Sequence, residues 1–367
     1  MKNERTSGIV CAAITLVILL LFSHDLYAEK RDYSITMLLD ISSSDSSEGF
    51  LFGYGDYKTR TPYKGYSFWF SLPGPLFVSD QGYLYIYEGN GSALKKYDQK
   101  GDYVKTIPIP KSYSAELNFT GERIDSEGTV CIRSVENQVV TFSTTSDEVG
   151  LLPVPEGENA KAEVNRNGTI FVWTDDRNIK LKIDRNGNLL GPVDYDCEDA
   201  HGNAYDIVGT ESRRASNKYF RKHIDVYTGN SDDRAISTSE LKLAGTISPN
   251  EVAPDTRWRI IGFDADNNIY IEVLSKPDEK YDYGNPLVHV LAYNINGTLL
   301  ENVEAMIPCT IHNAPAGRHV NINSDGDIYI CGIQPETAWN ITRRGDFGGT
   351  DWGNIEDFRF KVWKLER

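Results

Sequence analysis

The chain is short of positive charge, short of cysteine, and has no long apolar run after its first residues. Its 38 Lys and Arg stand against 53 Asp and Glu, a formal net charge of −15. Nucleic-acid binding needs a basic surface to displace phosphate counterions, and adsorption to anionic membranes needs one too. The charge balance argues against both. The sequence contains no GxSxG, no HExxH and no P-loop, so no familiar catalytic motif announces a reaction. The five cysteines do not have the spacing of a zinc site. The one apolar run, Ile9 to Phe22, is 14 residues long, short for a bilayer span. Lys2 and Arg5 precede it and Leu26-Tyr-Ala28 follows it, so residues 1–28 read as a cleaved secretory signal. The expectation is a secreted or periplasmic protein with no integral span after cleavage. An uncleaved N-terminal membrane anchor is the alternative.

What is present is a repeat. Val78-Ser-Asp-Gln-Gly-Tyr-Leu-Tyr-Ile-Tyr87 returns as Ile124 to Arg133, Val164 to Trp173, Phe263 to Glu272 and Ile322 to Cys331. A weaker copy runs Glu198-Asp-Ala-His-Gly-Asn-Ala-Tyr-Asp-Ile207. Repetition at intervals of some tens of residues marks a repeat architecture. Gly82, Gly128, Gly168, Gly202 and Gly326 share one column, and Asn267 takes their place once. These residue types tolerate positive φ, as a short hairpin turn with a left-handed position requires. Asp125, Asn165, Asp199, Asp264 and Asn323 open the turn, where a short polar side chain bonds the backbone ahead. The strand after the turn is apolar on both faces: Leu84 and Ile86 alternate with Tyr85, and Ile328 and Ile330 with Tyr329. A strand buried on both sides lies between two layers. For antiparallel repeats, that is a propeller blade between its neighbours.

A second turn follows several units, as Tyr97-Asp-Gln-Lys-Gly101, Ile183-Asp-Arg-Asn-Gly187 and Tyr293-Asn-Ile-Asn-Gly297. Each unit therefore holds four strands, a to d. The reading is all-β: a six-bladed β-propeller of four-stranded antiparallel blades, with seven blades as the alternative if residues 42–77 hide one. The last copy ends on strand c, Phe358 to Leu365, so Tyr33 to Ile41 is expected to supply its strand d and close the ring. Residues 29–367 then form a single domain, with 29–41 as the closing strand and 42–77 as an irregular excursion. Together the Asp/Asn-x-x-Gly-x-aliphatic-aromatic-aliphatic hairpin and the Tyr-Asp-x-x-Gly turn resemble those of NHL-type six-bladed propellers, over about residues 78–331. That resemblance implies the fold. It leaves function open, because such propellers include ligand-binding scaffolds, lyases and lactone hydrolases.

Propeller geometry puts the tight a–b and c–d turns on one face and the b–c loops on the other. The b–c loops of the last three blades are long, at 209–222, 275–286 and 333–357, and long loops on a rigid scaffold carry function. Aromatic and guanidinium groups there suit a peptide, glycan or protein ligand. Arg213, Arg214, Trp339, Arg343 and Trp352 are the candidate binding residues. The expected function is a non-enzymatic binding scaffold with no cofactor. The alternative is a propeller hydrolase or lyase with a divalent cation, calcium or zinc, in the channel, where His312, His319, Glu163 and Asn321 are the nearest ligand types. Cys309 and Cys331 are the candidate disulfide pair, and Cys131 reads as a buried thiol.

Overall fold

The computed structural model describes residues 33–42, 53–56, 68–71, 76–88, 93–110, 124–135, 138–153, 161–173, 180–211, 219–229, 237–253, 257–274, 287–306, 320–335 and 358–366. They form a six-bladed propeller of antiparallel sheets. The first blade is Leu76–Val78, Leu84–Tyr87, Ala93–Tyr97 and Tyr103–Pro108. In the second, Thr129–Val135, Gln138–Ser143 and Glu148–Pro153 are strands, and among the described residues strand a contributes one bridge, from Ile124 to Val130. The third is Lys161–Val164, Ile170–Trp173, Lys180–Ile183 and Leu189–Val193. The fourth is Cys197–Glu198, Ala204–Glu211, Tyr219–Thr228 and Lys242–Ile247. The fifth is Arg257–Phe263, Ile269–Leu274, Leu287–Tyr293 and Leu299–Met306.

The sixth blade closes the ring. Val320–Ile322, Ile328–Pro335 and Phe358–Glu366 are its strands a to c, and Ser34–Ser42 pairs antiparallel with the last of these. Leu39 and Ile41 of that closing strand sit in the core shared by the sixth and first blades. Arg359 holds Asp40 at 2.6 Å, and the Tyr33 hydroxyl donates to Glu301 of the fifth blade at 2.7 Å. The 42–77 segment is less irregular than expected: Gly53–Asp56 pairs with Phe68–Ser71 as a hairpin, and Leu76–Val78 already belongs to the first blade. Among the described residues this segment forms no seventh blade.

The repeat chemistry works as the turn residues dictate. Asp125, Asp199, Asp264 and Asn323 each accept, through Oδ1, the backbone N–H groups two and four residues ahead. Gly128 has φ +85° and Asn267 has φ +62°. The glycines of the c–d turns have a second reason to lack a side chain. A Cβ on Gly101 would lie 1.7 Å from the Leu38 carbonyl oxygen of the closing strand, and one on Gly297 would lie 2.3 Å from that of Thr246. Backbone of the preceding blade occupies the space, so blades approach more closely at these turns than any side chain permits.

Strand b is buried on both faces, as its composition requires: Leu84, Tyr85, Ile86 and Tyr87 have almost no exposure. Alternate residues pack in opposite directions, the Leu84 face toward the preceding blade and the Tyr85 face toward the next. The core is thus divided into six apolar clusters, one at each seam between blades. Cys331 lies in one of them as a free thiol, so the expected bridge to Cys309 is not formed. Its side chain packs among Leu76, Ile86 and Val362 rather than toward a loop, and burial pushes the thiol up to about 12. Cys131 is a buried free thiol as well, and Cys197 is buried.

Candidate functional site

The candidate loop residues, Arg213, Arg214, Trp339, Arg343 and Trp352, lie outside the described residues, as do His312, His319 and Cys309. The ends of two loops are described, and they differ from the expectation. In the fourth blade, Gly209, Thr210 and Glu211 pair with Arg221, Phe220 and Tyr219, so strands b and c extend and only 212–218 is left to connect them. In the sixth, Ile333, Gln334 and Pro335 pair with Phe360, Arg359 and Phe358. The backbone hydrogen bonds of a hairpin are met more fully by continuing the ladder than by a loop. The blades therefore project outward on the face that carries the long connections.

The opposite face carries the tight turns. Its a–b turns are linked from blade to blade: Ser126 N–H donates to Arg166 at 2.9 Å, Arg166 N–H to Glu198 at 3.2 Å, and Ala265 N–H to Ser324 at 2.8 Å, each to a backbone carbonyl. Asn267, the one non-glycine in its column, uses its side-chain oxygen to accept from Ala200 N–H at 3.0 Å. The central channel beneath these turns contains a cavity of 20 Å³ lined by Phe77, Ile124, Arg166, Ile261, Asn321 and Ile322 among others. That is room for one or two water-sized particles, far below a ligand pocket of several hundred Å³. Asn321 is therefore a channel residue as expected, whereas Glu163 is not among the residues lining the cavity. Among the described residues no three His, Cys, Asp or Glu side chains converge as metal ligands do.

A polar network that the motif reading passed over lies at the seam between the third and fourth blades. Lys182 and Glu198, both with no exposed surface, pair at 2.8 Å. The same carboxylate accepts from the Tyr195 hydroxyl at 2.5 Å, Asn167 Nδ2 at 2.7 Å and the Thr169 hydroxyl at 2.8 Å. Among the described residues, the apolar cluster at this seam has only four buried members, Phe171, Val193, Tyr195 and Ala204. A signal for the network existed: Glu198 stands where the other copies have Val78, Ile124, Val164, Phe263 and Ile322. Asp206 similarly replaces the aliphatic column of Ile86 and Ile271, and lies half-buried. Burial, with Asp196 adding like charge, pushes its carboxyl up to about 6, and Lys180 works against the shift. Lys180 itself pairs with Asp196 at 2.9 Å.

A related device joins the first two blades. Asp147, at φ +58°, accepts from Lys96 at 2.8 Å and from the Tyr85 hydroxyl at 2.9 Å. Burial opposes ionisation there, but the hydrogen bonds from Lys96, Lys105 and Tyr85 hold Asp147 below the usual carboxylate range. Lys96, Lys182 and Lys364 occupy one strand-c column, each opposite an aromatic residue of strand b: Tyr85, Phe171 and Tyr329. Each reaches a carboxylate: Lys96 and Lys182 one in the next blade, and Lys364 one in its own a–b turn, at Asp327.

No protein-family model matches the chain, and no curated protein matches it. Solved structures resemble it distantly. A protein of unknown function from Bacteroides caccae is 12% identical, with 64% of this chain and 82% of that one covered and a TM-score of 0.40. Virginiamycin B lyase from Staphylococcus aureus is 13% identical, with 92% and 100% covered and a TM-score of 0.38. YCF48 bound to D1 peptide is 9% identical, with 77% and 79% covered and a TM-score of 0.34. Likenesses at this level carry no argument about activity, ligand or partner.

Proposed function

We propose that this NHL-like propeller is a secreted or periplasmic binding scaffold that recognises a peptide, glycan or protein partner on the face carrying its long b–c connections. The observations behind this reading come from the described residues of the turn face and the channel. The a–b turns are linked by inter-blade hydrogen bonds, and the cavity in the channel measures 20 Å³. These features favour the other face for a ligand of ordinary size, where strands b and c of the fourth and sixth blades continue their pairing. Arg213, Arg214, Trp339, Arg343 and Trp352 belong to the connections on that face and supply the aromatic and guanidinium groups such ligands use.

Residues 29–367 applied to peptide and glycan arrays test the reading, with hydrogen exchange on each positive ligand. Protection is expected in 212–218, 275–286 and 336–357, and binding is expected to weaken at least tenfold in Trp339→Ala or Arg343→Ala. Protection confined to the Asp-x-x-Gly turns refutes the assignment. Cell fractionation with N-terminal sequencing tests the compartment: export with a start at Glu29 is expected, and a cytoplasmic, uncleaved chain contradicts it.

A further inference from the structure

The channel cavity has one charged wall. Arg166 enters it from the third blade and is 6% exposed. Its Nη1 donates to the backbone carbonyls of Asp125 at 3.1 Å and Ile124 at 3.5 Å, and Nη2 to Asp80 Oδ1 at 3.3 Å. One side chain thereby ties together three blades. The Nε–H is buried and has no protein acceptor among the described residues. The other lining residues are mostly apolar, including Phe77, Ile261 and Ile322, with Asn321 as a further polar residue. No carboxylate or imidazole lines the cavity among the described residues.

Charge and size together select what this space takes. A guanidinium donates hydrogen bonds and accepts none, so its free Nε–H calls for an acceptor. Asp80, its ion-pair partner, is 36% exposed, and water screens that attraction. On the inner side the surroundings are apolar, and a negative charge there is attracted far more strongly than in water. The 20 Å³ cavity admits one or two water-sized particles, which leaves out carboxylates of metabolite size, sulfate and phosphate. We infer that the channel binds a monatomic anion of the chloride class, held by the Arg166 Nε–H and the Asn321 amide, which offsets the buried guanidinium at the point where it joins three blades.

Two measurements test this. The first is anomalous diffraction from crystals of the wild-type protein soaked in sodium bromide. A peak within hydrogen-bonding distance of Arg166 Nε is expected; a cavity that holds water alone, with no anomalous signal, overturns the inference. The second is the unfolding midpoint as sodium chloride replaces sodium gluconate at constant ionic strength. Above the dissociation constant, the midpoint should climb by about 2 °C per tenfold rise in chloride for a chain of this length. Arg166→Gln should flatten that dependence. An equal slope in the variant, or a bromide peak accompanied by no chloride dependence in the wild type, also overturns it. If Arg166→Gln does not fold, the bromide map and the wild-type chloride series still decide.

Discussion

Replacing Lys182 by Met is the sharpest test of how the third and fourth blades are held together. Both partners of the Lys182–Glu198 pair are without exposed surface, and Met fills most of the volume of the lysine stem. What the substitution removes is the positive charge, and what it leaves is a carboxylate in the core. Tyr195, Asn167 and Thr169 still donate to that carboxylate, so it keeps three hydrogen bonds. Neutral donors do not replace a counter-charge at low dielectric, and breaking one side of a buried pair costs about 3–5 kcal/mol. At about 2.1 cal/mol/K of unfolding entropy per residue, that lowers the thermal midpoint of this chain by roughly 4–7 °C. Equilibrium urea denaturation and calorimetry of the wild type and Lys182→Met measure it directly. The companion variant carries the logic. In Lys182→Met with Glu198→Gln, the neutral amide keeps an acceptor for Tyr195 and loses the buried charge, so about 1–2 kcal/mol should return. A loss below about 0.5 kcal/mol in the single variant, the size of an ordinary surface change, refutes the reasoning. So does a double variant whose loss equals the sum of the two single losses.

Deleting residues 29–42 removes the strand paired with Phe358–Glu366 and takes Leu39 and Ile41 out of the sixth–first seam; burial of those two side chains alone is worth about 3–6 kcal/mol, and a truncated chain with an unchanged melting profile would show that the ring does not depend on it. Gly101→Ala places a Cβ against the Leu38 carbonyl at φ +86°, whereas at Gly82, φ +76°, the nearest atom is the movable Gln99 side chain at 3.0 Å. Both variants carry the positive-φ strain of about 1–3 kcal/mol, and Gly101→Ala should lose more than Gly82→Ala in the same denaturation series; equal losses rule out the close approach. Asp206 has a folded-state carboxyl pushed up to about 6, above its unfolded range. The folded state therefore binds the proton more tightly, and this group's contribution to stability falls as pH rises from about 4 to about 6. Asp206→Asn should be the more stable protein at pH 7, by about 1–2 kcal/mol after allowance for partial exposure, with the gap closing toward pH 4; a gap independent of pH contradicts the assignment.

The parts of this protein that were legible in its sequence are those fixed by neighbours in the chain. A turn of the Asp-x-x-Gly kind depends on a carboxylate two and four residues from the N–H groups it accepts and on one residue at positive φ, so Asp125 and Gly128 declare their roles locally. Burial of strand b on both faces follows from its composition, and six such strands closing into a ring follows from their repetition. The closing strand was legible for a related reason: the last unit ended one strand short, and a sheet edge needs a partner. What the tertiary structure decided is which distant groups meet. Glu198 breaks an apolar column in the sequence, but only the packing of two blades supplies Lys182 and turns the exception into a buried pair. Cys331 looked available to Cys309 along the chain, yet its strand points the thiol into a seam. Arg166 occupies a turn position that in other copies holds a small or exposed residue, and it folds inward because the carbonyls of a neighbouring blade, 3.1 and 3.5 Å away, receive it. Turn chemistry is a property of five consecutive residues, while the charge of a seam or a channel belongs to several blades at once and exists only after they have closed.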